Sequence, residues 1–221
     1  MSDKLPVTAV IINFKTADVT RRAITSFRRY YPAIPLLLID NGSRDESTVM
    51  LNEFKQQSPG CTEVIINDTN LHHGPAMNQA LHYLRSSNVL FLDSDCEIHK
   101  GGFLEAMIIR AEEHTHHYAV GKRVFMNRRG FDVPESNAAI SYIRPLCMLL
   151  KREVYVTLPA FQHHGTPCLA NMREAARRGL VLVDFPGEEY LIHVGRATAG
   201  KYGYNLGWRG KLNHLLNKIG L

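Results

Sequence analysis

The chain has 221 residues, a formal net charge of +5 and a pI near 9.1. Its 45% hydrophobic and 21% charged residues are an ordinary globular balance, so a folded chain rather than disorder is the default expectation. The basic surplus favours anionic partners but does not distinguish phosphorylated small molecules from nucleic acid or an acidic membrane surface. Basic residues are scattered without an aromatic-basic stripe, so nucleic acid is not an expected partner. The four cysteines (Cys61, Cys96, Cys147, Cys168) include no C-x-x-C pair, which argues against a zinc ribbon and a disulfide scaffold and for buried or half-buried free thiols. No stretch approaches the ~18 apolar residues of a spanning helix, and the N-terminal apolar run is too short for a signal peptide core. The expected location is cytoplasmic, with peripheral contact at the inner face of the membrane as an option.

Val7 to Phe14 is a β-branched apolar run that predicts a strand buried on both faces. Asp18 to Arg29 carries Val19, Ala23, Ile24 and Phe27 at helical spacing, with Asp18 as the expected N-cap. Pro32 and Pro35 end that helix, and Ile34 to Ile39 predicts a second strand running into the turn Asp40-Asn41-Gly42-Ser43. A helix over Ser47 to Gln57, a strand over Thr62 to Ile66 and a helix over Pro75 to Arg85 follow. Val89 to Leu92 is a fourth strand that leads directly into Asp93-Ser94-Asp95. This alternation predicts right-handed βαβ units and a mostly parallel sheet flanked by helices.

After about residue 100 the texture changes. Gly102 to Glu113 reads as a helix, Tyr118 to Phe125 and Ala139 to Leu150 as short strand-like runs, and Leu169 to Arg178 as a helix capped by Gly179. Val181 to Phe185 and Tyr190 to Val194 complete the strands. Residues 206–221 place Trp208, Leu212, Leu215, Leu216 and Ile219 at helical spacing among Arg209, Lys211 and Lys218. Such a basic amphipathic segment docks on its own core or on a second subunit in a homodimer, or lies on an anionic membrane.

In a parallel α/β sheet ligands bind outside the carboxyl ends of the strands. Asn13, Asp40-Asn41 and Asp93-Ser94-Asp95 all fall at such ends. Two carboxylates one residue apart repel unless a cation sits beside them. Oxygen donors suit hard divalent ions that complete their shells with water and substrate phosphates, so Mn²⁺ or Mg²⁺ is the expected cofactor.

The ordered set of these motifs resembles the family 2 glycosyltransferases of GT-A fold. The resemblance rests on the opening VTAVIINF…LLLIDNGSRDES, on Asn70-Leu71-His72-His73-Gly74-Pro75-Ala76-Met77-Asn78 with its glycine displaced, and on Asp93-Ser94-Asp95. It covers residues 5–100 well. The later Leu191-Ile192-His193-Val194-Gly195 resembles the family's His-x-Gly element. It implies one domain with a nucleotide-sugar half (1–100) and an acceptor-side half (101–205), followed by the segment 206–221. By the same resemblance Asn13, Asp40, Asn41, Asn78, Asp93 and Ser94 serve the donor, and Asp95, Asp93 and His193 bind the metal. Arg196, by charge and position, is assigned to the pyrophosphate leaving group. The implied activity moves a sugar from a UDP-, GDP- or dTDP-type donor to a glycan, lipid-linked or protein acceptor with inversion. A catalytically inactive nucleotide-binding subunit and a sugar-nucleotide nucleotidyltransferase are the alternatives.

One element departs from the family pattern. Its acidic pair would fall near Pro167 and Cys168, where this chain reads His163-His164-Gly165-Thr166-Pro167-Cys168. His163 or His164 as the base, a carboxylate from elsewhere (Asp132, Glu135 or Glu174), and a retaining reaction that needs no base all remain open, with the histidines preferred.

Overall fold

The computed structural model describes residues 5–162 and 165–194. The chain runs β1 (Val7–Asn13), α1 (Ala17–Tyr30), β2 (Leu36–Asp40), α2 (Ser47–Gln57), β3 (Thr62–Ile66), α3 (His73–Tyr83), β4 (Asn88–Leu92) and β5 (Cys96–Ile98). It continues through α4 (Phe103–Glu112), β6 (His117–Met126), β7 (Ile140–Lys151), α5 (Arg152–Tyr155), α6 (Leu169–Arg177), β8 (Val181–Asp184) and β9 (Leu191–His193).

Seven strands form one sheet in the order β3-β2-β1-β4-β7-β6-β8, and β5 pairs with β9 in a second, two-stranded sheet. The pairings β1–β2, β2–β3, β1–β4 and β6–β8 are parallel, and only β7 runs against its neighbours. The mostly parallel sheet anticipated from the alternation is therefore present. The change of texture near residue 100 is not a break in the sheet, because β4 pairs with β7 from Asn88↔Lys151 to Leu92↔Cys147.

Strand residues sort by the two-residue period of a pleated sheet. Ala9, Ile11, Leu36, Leu38, Leu90 and Leu92 face a core with Ile24 and Phe27 of α1, Leu51 of α2 and Phe103 of α4. Val10, Leu37, Ile39, Val89 and Phe91 face the opposite core with Met77 and Leu81 of α3 and Met172 of α6. Helices thus cover both faces, which is why these strands read as continuous apolar runs rather than alternating ones.

Several local details differ from the sequence reading. Helix α1 begins at Ala17, so Asp18 lies within its first turn rather than at the cap; Thr16 holds the cap position, and its hydroxyl donates to Asn13 Oδ1 instead (3.2 Å). Helix α3 starts at His73, two residues before the expected Pro75. The runs around residues 120 and 145 are long strands, β6 and β7, and three-residue β5 had no periodic signal. Gly179 caps α6 as expected, with φ of +76° and bonds from Gly179 N–H to Ala176 O (3.0 Å) and Leu180 N–H to Ala175 O (3.0 Å). Cys96, Cys147 and Cys168 are buried free thiols and Cys61 is half-buried. No helix among the described residues is long and apolar enough to cross a membrane.

Candidate active site

The carboxyl ends of β1, β2 and β3 feed three loops, each with one non-glycine residue at positive φ: Lys15 (56°), Arg44 (56°) and His72 (69°). These are the only such residues among those described. Backbone strain of this kind persists where the surroundings over-determine it, and it gathers at functional rims.

Beneath the rim lies a buried polar lattice. Asn13 and Asp40 are opposed in the β1–β2 register. Asn13 Nδ2 donates to Asp40 Oδ1 (2.9 Å) and Ser43 Oγ (3.1 Å), while its Oδ1 accepts from Thr20 (2.7 Å) and Thr16. Asp40 Oδ2 accepts the Ser43 N–H (3.0 Å). Asn41 Nδ2 donates to Asn70 Oδ1 (3.0 Å) and His72 O (3.3 Å), and its Oδ1 accepts from Asn67 Nδ2 (3.1 Å) and Leu71 N–H (3.1 Å). All three side chains are buried and bonded within the protein, so what they visibly do is fix the backbone of three loops against one another.

The next strand end supplies carboxylates. After β4 the chain turns through Asp93-Ser94-Asp95, held by Asp93 N–H to Leu146 O (2.8 Å) and Cys96 N–H to Asp93 O (3.1 Å). β5 then pairs antiparallel with β9, Cys96 opposite His193, and Val194 N–H donates to Asp95 O (2.9 Å). This ladder brings His193 Nε2 to 3.1 Å from Asp95 Oδ1, across ninety-eight positions of sequence. One ligand atom from each of Asp93, Asp95 and His193 lies within 4.8 Å of the others. Two carboxylate oxygens and an imidazole nitrogen are a donor set suited to Mn²⁺ or Mg²⁺ with positions left for water and phosphate. The three residues therefore fit a divalent ion, and His193, 38% exposed at its side chain, is not a core histidine.

The electrostatics agree with that fit. Burial raises the Asp93 carboxyl above its ordinary range, Asp95 pushes it the same way, and His73 and His193 oppose the shift. The hydrogen bond to Asp95 raises His193, with burial opposing. Two carboxylates crowded with partial burial are a site that a dication would relieve.

Other expected residues have different surroundings. Asn78, inside α3, accepts a hydrogen bond from the Tyr155 hydroxyl (2.7 Å), and that oxygen also accepts the Phe161 N–H (3.1 Å). Ser94 is half-buried in the Asp-Ser-Asp turn. His163, His164, Arg196 and the segment 206–221 lie outside the described residues. Of the alternative bases, Glu174 is paired with Arg177 (2.7 Å) and Arg178 (2.8 Å), and these bonds lower its carboxyl to about 2. Asp132 pairs with Arg144 (2.6 Å), and Glu135 is exposed.

Three participants were not singled out from sequence. Thr16 and Thr20 close the Asn13 network; their four-residue spacing at the start of α1 is the signal that could have found them. His73, one of several adjacent histidine pairs in the chain, sits 3.8 Å from Asp93 Oδ1, and nothing in its local sequence marks it.

The chain matches the family model "Glycosyl transferase family 2" over residues 8–176. No curated protein sequence matches it. Among solved structures, the mannosyltransferase PcManGT from Pyrobaculum calidifontis, in complex with GDP-Man and Mn²⁺, is similar with a TM-score of 0.70 at 14% identity. That similarity covers 100% of this chain and 66% of the other. S. aureus TarS 1-349 is similar with a TM-score of 0.61 at 15% identity, over 85% of this chain and 60% of that one. The same protein in complex with UDP-GlcNAc gives 0.61 at 14% identity, over 90% and 62%. At such identities the structural likeness establishes a shared fold, and the chain spans about two thirds or less of each neighbour. With the family match extending over most of its length, from β1 to α6, this chain belongs to glycosyl transferase family 2 and has the GT-A fold.

Proposed function

We propose that the chain is a metal-dependent glycosyltransferase that takes a nucleotide-diphosphate sugar as donor. The observation that carries this reading is the meeting of Asp93, Asp95 and His193 at the carboxyl edge of the sheet, within 4.8 Å. These residues would hold Mn²⁺ or Mg²⁺. A bound dication supplies Lewis-acid stabilisation of charge on a departing nucleoside diphosphate. Neighbours of the same fold solved with GDP-Man and Mn²⁺ or with UDP-GlcNAc support a donor of this class.

The protein's own residues divide the remaining work. The Asn13–Asp40–Asn41 lattice holds the three loops that would flank base and ribose, with Ser94 on the metal side and Asn78 bracing α3 behind. Arg196 would pair with the pyrophosphate. His163 or His164 would take the proton of the acceptor hydroxyl, giving inversion at a glycan, lipid-linked or protein acceptor. Two observations favour the histidines: Glu174 and Asp132 are committed to arginines, and Gln162, next to the pair, packs its carbonyl against Gly74 beside His73.

The test is calorimetric titration with UDP, GDP and dTDP, in Mn²⁺ and in EDTA, for wild type and Asp95→Ala. Binding of one nucleotide that needs metal and is lost in the variant is the expected result. No nucleotide binding in any condition would overturn the proposal. Release of free sugar from the matching donor separates a working enzyme from an inactive binding subunit.

A further inference from the structure

His73 stands at the first position of α3, and the chain reaches it by an unusual route. His72 has φ 69° and ψ 168°, a region of backbone space close to exclusive to glycine. The turn is pinned on both sides: Asn41 Nδ2 donates to His72 O (3.3 Å), and His72 N–H donates to Asn70 Oδ1 (2.7 Å). One residue later, Gly74 lies so close to Gln162 that a Cβ there would stand 1.6 Å from the Gln162 carbonyl oxygen. Strain before His73 and close packing after it fix the backbone that places its imidazole.

That placement is a narrow crevice lined by Val10, Ile12, Phe91, Leu92 and Asp93. His73 Nε2 is buried there with no hydrogen-bond partner. Four of the five neighbours are apolar, so the one group that can answer it is the Asp93 carboxylate, 3.8 Å away at Oδ1. This distance lies within ion-pair reach but is too long for a hydrogen bond. An orphaned nitrogen in apolar surroundings costs free energy, and that cost is relieved when the distance closes. Hydrogen bonds of catalytic groups are often long before ligands bind and tighten in the complex.

We infer that His73 is a positioning residue for Asp93: its Nε2–H holds Oδ1 from behind and leaves Oδ2 to face the metal beside Asp95 and His193. This rests on the metal site proposed above. Carboxylate ligands are themselves held by hydrogen bonds, and losing such a partner typically costs ~10–100-fold in metal affinity.

The experiment measures Mn²⁺ affinity by electron paramagnetic resonance, with and without the preferred nucleoside diphosphate, for wild type, Asp95→Ala, His73→Phe and His73→Gln. Phe fills the apolar crevice without a donor, and the Gln amide restores an N–H at the Nε2 position. Expected is a ~10-fold loss of Mn²⁺ affinity in His73→Phe and recovery to within ~3-fold of wild type in His73→Gln. Cooperative thermal melts in EDTA check that each His73 variant is folded; if His73→Phe does not fold, His73→Leu takes its place. Should Asp95→Ala lose Mn²⁺ while His73→Phe binds it as wild type does, the positioning role is overturned and the metal site stands. His73→Gln as weak as His73→Phe likewise overturns it. Absence of Mn²⁺ binding in the wild type overturns both.

Discussion

Gly74→Ala sets two physical effects against each other and lets the structure decide. Gly74 is the second residue of α3, and in a solvated helix alanine is preferred to glycine by about 1 kcal/mol. Propensity alone therefore predicts stabilisation. In this fold the new Cβ would stand 1.6 Å from the Gln162 carbonyl oxygen and 2.5 Å from its carbon, where real Cβ contacts essentially never fall below 3.0 Å. Both colliding groups are backbone, so no rotamer change relieves the overlap, and the start of α3 must move away from 161–162 by more than an ångström. Forced overpacking of this kind costs typically 1–3 kcal/mol, which outweighs the propensity gain. The mid-range cost of about 2 kcal/mol less the gain of about 1 kcal/mol leaves a net loss of about 1 kcal/mol. For a chain of this size each kcal/mol shifts Tm by roughly 2–4 °C, so a fall of about 2–4 °C is expected in thermal melts followed by circular dichroism. Because His73 precedes Gly74, the same shift should withdraw its imidazole from Asp93 and weaken Mn²⁺ binding in the folded variant. An unchanged or raised Tm would refute the packing of α3 on 161–162 and the account of His73 built upon it.

Other expectations concern the rim. Asp40→Ala removes the acceptor of Asn13 Nδ2 and of the Ser43 N–H; an unanswered buried donor costs about 1–3 kcal/mol, so chemical denaturation should show a loss near 2 kcal/mol, and a loss below about 0.5 would refute the lattice. His72→Gly should raise Tm, since relief of about 1–3 kcal/mol of strain exceeds the roughly 0.5–1 kcal/mol of chain entropy that glycine adds; a lower Tm would contradict the strained geometry. The metal-free protein should lose stability as pH rises. His193, raised by its bond to Asp95, contributes stability that is complete below the unfolded imidazole pKa of ~6.5 and disappears as pH climbs through the higher folded value. Asp93, raised by burial, acts with the same sign from the carboxylate range upward. Melts in EDTA from about pH 5 to 8 should show the decline, His193→Asn should flatten its upper part, and Mn²⁺ affinity should increase over the same window as the ion displaces the His193 proton.

Much of this protein was legible in its residues because the information was local. A period-2 code buried on both faces gives continuous apolar runs, and helices with a 3.6-residue stripe lie between them; together these specify a parallel sheet and place Asn13, Asp40 and Asp93 at its carboxyl edge. Asp93-Ser94-Asp95 was visible for the same reason, as two carboxylates directly after a strand. Long-range pairing was not legible. A three-residue strand such as β5 carries no period, and only its pairing with β9 delivers His193 to Asp95. Asn13, Asp40 and Asn41 are visible in sequence as polar groups at strand ends, but that Asn13 bonds Asp40 while Asn41 bonds Asn67, Asn70 and the backbone of 71–72 was not, because each loop finds its partners on another strand's loop rather than along the chain. His73 is the extreme case. It is one histidine among eleven in the sequence, and only the meeting of β1, β4, α3 and the backbone of Gln162 puts its nitrogen behind Asp93. Sequence set which groups stand at the edge of the sheet through short-range periodicity; tertiary structure alone decided which of them meet, since the distances between side chains are fixed by packing of segments far apart in the chain.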